Sequence, residues 1–113
     1  MDDSILNTVK KFVGVEGIDE FDPDLIIFIN SVLMTLRQLG LNNLVIEDDS
    51  ASWADLLVDD ADKLQAVQNY ICTKVRLMFD PPTSSHVMDA MERWCRELEW
   101  RLNITVDPEW GDA

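Results

Sequence analysis

The sequence has few of the residues that enzymes and cofactor sites commonly use. Its 113 residues include four glycines, one histidine and two cysteines. The glycines are too scattered to form the clustered spacing of a phosphate-binding loop. His86 lies in the first turn of a predicted helix, and no sequence pattern links it to a nucleophile or an orienting carboxylate. We therefore predict that the chain is not an enzyme and that it holds no cofactor.

The two cysteines, the N-terminus and the apolar runs exclude further classes. Cys72 and Cys95 fall on different predicted helices, in a spacing that suits neither a disulfide framework nor a metal site. We interpret them as buried thiols in a reducing compartment. The N-terminal MDDSILNTVKK lacks the early basic region and apolar run of a signal peptide. Residues 25–39 are the most apolar segment, but they are too few and too polar to span a membrane, so we predict a core helix.

Basic residues are scarce. Nine Lys and Arg residues stand against 22 Asp and Glu residues, for a net charge of −13. Such a balance disfavours a nucleic-acid clamp and an anionic membrane surface as binding partners. Residues 12–62 contain twelve acidic residues and one basic residue, whereas residues 63–103 contain six basic and five acidic residues. This pattern predicts a molecule with one strongly negative end, and the alternative is that the acidity serves solubility alone.

The fold class follows from helical periodicity and from helix start and stop signals. We predict an all-α, compact bundle of about four to five helices with an extended C-terminal tail. Ser4 caps a short first helix, and Asp22-Pro23 begins a second helix that ends at Gly40. A short helical turn is expected at 53–57 and a third long helix at 60–79.

The fourth helix follows a proline hinge at 80–82. Consecutive prolines stop a helix, and the hydroxyl residues at 83–85 can cap the next one. Apolar residues repeat along this helix at three and four residues and predict a stripe that faces the core. The stripe consists of Val87, Met91, Trp94, Cys95, Leu98 and Leu102. We divide the chain into a helical domain at 1–103 and a C-terminal tail at 104–113, where Pro108 and Gly111 oppose helix formation.

The acidic stretch 47–62 contains carboxylates of the kind that bind calcium. It lacks the turn glycine and the oxygen spacing of an EF-hand loop, so we predict no metal site. We expect its carboxylates to form a negative surface instead. The candidate residues of this surface are Glu47, Asp48, Asp49, Asp59 and Asp60.

Four segments together resemble one protein family. In chain order they are FDPDLIIFINSVLMTLRQLG, SWADLL, YICTKVRLMFDPPTSS and ELEWRLN. They resemble the small head–tail connector (adaptor) proteins of long-tailed bacteriophages, over about residues 4–103. The most specific parts are KVRLMFDPPTSS at 74–85 and ELEWRLN at 97–103. The resemblance implies an all-α fold that assembles as a homo-oligomeric ring, typically a dodecamer, beneath the portal vertex of a filled capsid.

The same resemblance implies a set of partners and a location. One face and a terminal segment would dock on the phage portal protein, and the other face would receive the stopper or tail-completion protein. DNA would pass through the lumen without specific binding, and the carboxylates near the channel would repel its phosphates. The protein would be made in the host cytoplasm and end in the neck of the virion, with no membrane partner and no cofactor.

We expect partner contacts at five apolar positions. Ile27 lies on a second helix that is apolar on most sides, and Trp100 lies off the apolar stripe of the fourth helix. Ile104, Val106 and Trp110 belong to the tail, where a large aromatic residue suits a partner's pocket. The alternative for Trp110 is that it folds back onto the core of its own chain.

Two other functions compete with the connector interpretation. The first is an acidic, DNA-mimicking inhibitor of a nucleic-acid-binding protein, which is also a small, helical and strongly negative kind of protein. That function needs carboxylates spread over an elongated surface, whereas here they cluster in the first half of the sequence. The second is a helical interaction module of a cellular complex.

Overall fold

The computed structural model describes residues 4–38, 43–56, 58 and 60–106, with the backbone alone for residues 38 and 103–106. In these ranges the chain forms four α-helices and one short 3₁₀ helix, and no β-strand. The helices are α1 (Ile5–Val13), α2 (Asp22–Gln38), α3 (Ala61–Phe79) and α4 (Ser85–Val106), and the 3₁₀ helix is Trp53–Leu56. The all-α prediction is therefore confirmed. None of the described helices has the length and apolar character needed to cross a membrane.

Both ends of α1 follow the sequence signals. The Ser4 hydroxyl accepts the backbone N–H of Asn7 at 3.2 Å, which satisfies one of the free amides at the helix start. Gly14 ends the helix in the left-handed region, with φ of 86°, and its N–H donates to carbonyls of the last turn. An L-residue with a side chain would be strained in this conformation, so glycine suits the position.

The starts of α2 and α3 depend on aspartates in different ways. The predicted cap of α2, Asp22, is instead its first helical residue, because the Leu25 N–H already donates to the Phe21 carbonyl at 2.9 Å. The negative charge of Asp22 still lies in the first turn, where the helix dipole favours it. Asp60 caps α3, and its carboxylate accepts the N–H of Asp62 at 2.9 Å.

The hinge between α3 and α4 ends one helix and begins the next, as its sequence predicts. α3 ends at Phe79, and Asp80 caps it: the Asp80 N–H donates to the Arg76 carbonyl at 2.9 Å, and the Arg76 Nε donates to the Asp80 carbonyl at 2.7 Å. Pro81 and Pro82 follow and cannot continue the helix. The Ser84 hydroxyl then accepts the N–H of Val87 at 3.4 Å, at the start of α4.

α3 is the central helix, since it packs against α1, α2 and α4. Its Val67, Tyr70, Ile71 and Val75 are at most 1% exposed. The other helices and the loop surround it with a single apolar core. The core residues outside α3 include Ile5, Leu6, Val9, Leu25, Ile29, Leu33, Leu36, Ile46, Trp53, Leu56, Leu98 and Leu102.

The acidic loop between α2 and α3 is held at two points. The Trp53 Nε1–H donates to the Thr8 hydroxyl at 3.0 Å, and the Trp53 ring is buried. The Asn30 side chain donates to the Ile46 carbonyl at 3.0 Å and accepts the Ile46 N–H at 2.9 Å. Trp53 therefore fixes this loop to α1, and Asn30 fixes it to α2.

A buried lysine joins the end of α1 to the start of α2. The Lys10 side chain is 6% exposed, and its Nζ lies 3.0 Å from an oxygen of Asp19 and 3.0 Å from an oxygen of Asp22. The hydrogen bond to Asp19 is the main cause that raises the pKa of Lys10, and Asp22 adds to it, while burial opposes the shift. A lysine at this depth requires such partners, so the two carboxylates fix the turn between the helices.

The prediction for α4 is right in its second half and wrong in its first half. Cys95, Leu98 and Leu102 are buried as expected. Trp94, which the stripe assigned to the core, is 38% exposed, and Val87 is 48% exposed. α4 has 22 residues, about 33 Å of helix, whereas α1 has nine residues and is about 14 Å long. α3 is the main support of α4, and the short α1 leaves one side of its first half open to solvent.

Candidate interaction surfaces

Ile27 and Trp100 were predicted to contact partners, and both lie on the surface. Ile27 on α2 is 61% exposed and Trp100 on α4 is 66% exposed, the two largest values among the exposed large apolar residues of the described chain. They belong to different helices, α2 and α4. Each is therefore a separate candidate contact.

The other three apolar candidates lie at or beyond the end of α4. Ile104 and Val106 belong to its last turn, because α4 continues to Val106, three residues past the Asn103 at which the sequence analysis ended the helix. Trp110 lies outside the described residues. The proposed division between domain and tail thus falls within a continuous helix.

The acidic candidates are solvent-exposed where the structure describes them. Glu47, Asp48 and Asp49 are exposed on the loop after α2, and Asp60 is exposed at the cap of α3. Asp59 lies outside the described residues. Hydrogen bonds from Ser50, including its N–H at 2.8 Å, lower the pKa of Asp48, so this carboxylate stays charged to lower pH.

Possible metal ligands in the described part of the chain do not cluster, and its two thiols are buried. Its His, Cys, Asp and Glu residues form no group of three or more that could hold a metal ion. Both cysteines are buried, and burial raises the pKa of Cys72 to about 12 and also raises the pKa of Cys95. Their thiols are thus protonated at neutral pH and poorly nucleophilic.

One exposed face of α2 combines large apolar side chains with hydroxyls that bond to their own helix. This face, the α2 stripe, consists of Ile27, Ser31, Met34 and Thr35, all exposed. The Ser31 hydroxyl donates to the Ile27 carbonyl at 3.0 Å, and the Thr35 hydroxyl donates to the Ser31 carbonyl at 3.4 Å. Because these donors are satisfied internally, the stripe can be covered by a partner at a low desolvation cost.

A second apolar surface is a groove bordered by α1, α3 and α4. It has a volume of about 620 Å³. Its apolar members are Phe12, Val87, Ala90, Met91 and Trp94, which define the α4 groove. Arg76 and His86 add basic or titratable groups, and no carboxylate lines it among the described residues. Helical periodicity did not predict this groove, because three of its α4 residues belong to the apolar stripe that was expected to face the core.

A polar cluster fixes α4 on α3 at the other side of the helix. The Tyr70 hydroxyl donates to the Glu99 carboxylate at 2.6 Å, and the Lys74 Nζ lies 3.7 Å from the same oxygen and 5.9 Å from the centre of the Tyr70 ring. Burial, and then the Glu99 contact, raise the pKa of Tyr70. The cluster positions α4 on α3.

Comparison with known proteins yields one match. The model of a family described as phage connector protein matches residues 5–109, which is nearly the whole chain. No curated protein and no solved structure matches the chain significantly.

Proposed function

The chain belongs to the phage connector protein family, and on this basis we propose that it forms a ring between the portal and the tail of a phage particle. The proposal rests on the family match, because membership of this family supports a structural role in the phage neck. In this proposal one face of the ring contacts the portal protein, and the other receives the stopper or tail-completion protein. DNA passes through the central channel.

The described surfaces are compatible with a protein that acts by shape. The α2 stripe and the α4 groove offer two apolar areas that subunits or neck proteins can cover. These two areas support a role in assembly.

A phage that encodes this chain provides the direct test of the role. A nonsense mutation in its gene should give DNA-containing heads and separate tails, or heads that lose their DNA, when lysates are viewed by electron microscopy. Supplying the wild-type protein from a plasmid should restore joined particles. Normal, infectious particles in the absence of the protein would reject the proposal.

We propose that the C-terminal segment docks on the portal. The segment begins in the last turn of α4, with Ile104 and Val106, and includes Trp110. Deletion of 104–113 should abolish portal binding with a loss of only about one helical turn. Deletion of 107–113 leaves α4 whole and separates the contribution of Trp110 from that of the helix end. Undiminished portal binding by the longer deletion would remove this proposal.

We also propose that the exposed carboxylates of the acidic loop face the DNA channel. Glu47, Asp48 and Asp49 are exposed, and so is Asp60. Asp59 is the fifth candidate. Repulsion of phosphate would limit adhesion of DNA to the ring. The triple change E47Q/D48N/D49N should make portal-bound rings retain double-stranded DNA at low salt.

The matched control for this change removes three charges elsewhere, as E16Q/E20Q/D89N. These three residues are also exposed. If both triple variants retain DNA equally, net charge is sufficient to explain the effect, and the loop has no special position at the channel.

A further inference from the structure

We propose that the α4 groove of one copy receives the α2 stripe of the next copy in the ring. The inference rests on the proposed ring and specifies which surfaces form its repeated contact. No described residue of α2 lines the groove, which is formed by α1, α3 and α4. The two surfaces are therefore separate on each subunit, and one copy can use both at the same time.

Separate donor and acceptor surfaces determine the kind of assembly. A contact between two different surfaces is head-to-tail, and its repetition gives a closed ring when the rotation between copies closes. A contact of the α2 stripe with itself would stop at a dimer. The proposed pairing is therefore the type that a ring requires.

The apolar side chains of the two surfaces have the same spacing. Ile27 and Met34 are seven residues apart on α2, and Val87 and Trp94 are seven residues apart on α4. Seven residues are about two helical turns, or about 10.5 Å. All four side chains are substantially exposed. When the two helices lie side by side, each apolar pair can contact the other along the same length.

Polarity also favours this pairing. The small Ser31 lies between the two large side chains of the stripe, and its hydroxyl is bonded within α2, so a neighbouring helix can approach closely without leaving a buried donor unsatisfied. The groove in turn exposes mostly carbon, with Phe12 at its α1 border.

The charges at the ends of the two surfaces are complementary. The first turn of α2 contains the exposed Asp24, and the helix has no basic residue before Arg37. The groove is lined by Arg76 and His86 and by no carboxylate of the described chain. Placing the acidic start of α2 beside this rim gives an attraction, whereas two copies of the acidic half would repel each other.

Cross-linking between two single-cysteine additions tests the pairing. Molecules that carry I27C are mixed with molecules that carry V87C, and the mixture is treated with a short bis-maleimide. The reaction is run once without the portal protein, at about 1 mM, where weak contacts are populated, and once in complex with the portal protein. Both positions are exposed, so the substitutions leave the core intact, and the native Cys72 and Cys95 are buried. The matched control replaces I27C by V45C, because Val45 is 58% exposed, lies on the loop after α2 and belongs to neither surface.

The I27C and V87C molecules should form mixed dimers in at least about tenfold excess over the V45C and V87C pair, because a formed contact raises the effective concentration of the two thiols. I27C molecules alone should cross-link no more than V45C molecules alone. Equal yields of the test and control pairs in both samples, or preferential self-pairing of I27C, would overturn the proposal.

The same samples separate this inference from the proposed function. Formation of a portal complex without specific cross-linking would leave the connector role intact and reject the pairing. Specific cross-linking without any portal complex would retain the pairing and count against the connector role.

Discussion

Replacement of Lys10 by methionine tests how much one buried ion pair contributes to the fold. The side chain is 6% exposed, and its Nζ is 3.0 Å from each of two carboxylates. Methionine keeps the approximate length and apolar stem of lysine and removes the charge. The change therefore leaves the core filled and leaves the two acids without their partner.

The two ion pairs contribute differently to the free energy of unfolding, because their carboxylates differ in solvent exposure. Asp19 is 89% exposed, so water replaces the lysine at little cost, about 0.5 kcal/mol. Asp22 is 26% exposed, and its loss of a charged partner costs about 2 kcal/mol. The total is about 2.5 kcal/mol. A chain of this size loses about 4 °C of melting temperature per kcal/mol, so we expect a decrease of about 10 °C.

Thermal and urea unfolding, followed by circular dichroism, measure this difference. K11M is the matched control, because Lys11 is exposed and its replacement should change stability by less than about 0.5 kcal/mol. D22N in the K10M background should add little further loss, since the two residues act as a pair. Equal melting temperatures for K10M and the wild type would refute the reasoning.

The pH dependence of the difference gives a second check. The folded-state pKa of Lys10 is raised above its ordinary value of 10.5. The stabilisation by the charged lysine is therefore fully present below pH 10.5, and it is lost as pH rises through the folded-state pKa. The difference between the wild type and K10M should be constant from pH 7 to about pH 9.5 and decrease at higher pH.

Three further predictions concern the loop, the polar cluster and a thiol. Asn30→Ala should destabilise the protein by about 2 kcal/mol in urea unfolding, because it leaves both backbone groups of the buried Ile46 unpaired; an unchanged midpoint would contradict this. Tyr70→Phe removes the 2.6 Å bond to the half-exposed Glu99, and the same assay should show a loss of about 1 kcal/mol. The Cys72 thiol, with its pKa raised to about 12 by burial, should react with Ellman's reagent at pH 8 only after unfolding in urea; rapid labelling of the native protein would contradict its burial.

Most of the helices could be predicted because capping residues and prolines close in sequence determine where they begin and end. Ser4 and Asp60 cap helices by direct hydrogen bonds to the first turn, and consecutive prolines separate α3 from α4. Such signals act within a few residues and do not depend on the rest of the fold. The end of α4 carries no comparable signal at Asn103, and there the predicted boundary was three residues too early.

The interaction surfaces were harder to predict, because periodicity indicates that a face is apolar and not what covers it. The stripe of α4 is regular, yet only its second half is buried, and Trp94 and Val87 lie in an open groove. Met78 on α3 likewise continues the helical spacing of the buried Ile71 and Val75 and is nevertheless 42% exposed. What covers a face depends on the lengths and positions of neighbouring helices, which the sequence of one helix does not contain. Ile27 is exposed because its helix is apolar on more faces than a small core can cover, and its contact with a partner stays a prediction.

The most direct test of the connector role is the mass of this protein co-expressed with the portal protein of the same genome, measured by light scattering after size exclusion. We predict a stable complex with near one-to-one subunit stoichiometry. Separate elution of the two proteins at low and at moderate salt would contradict the connector role. It would favour the acidic inhibitor that mimics DNA.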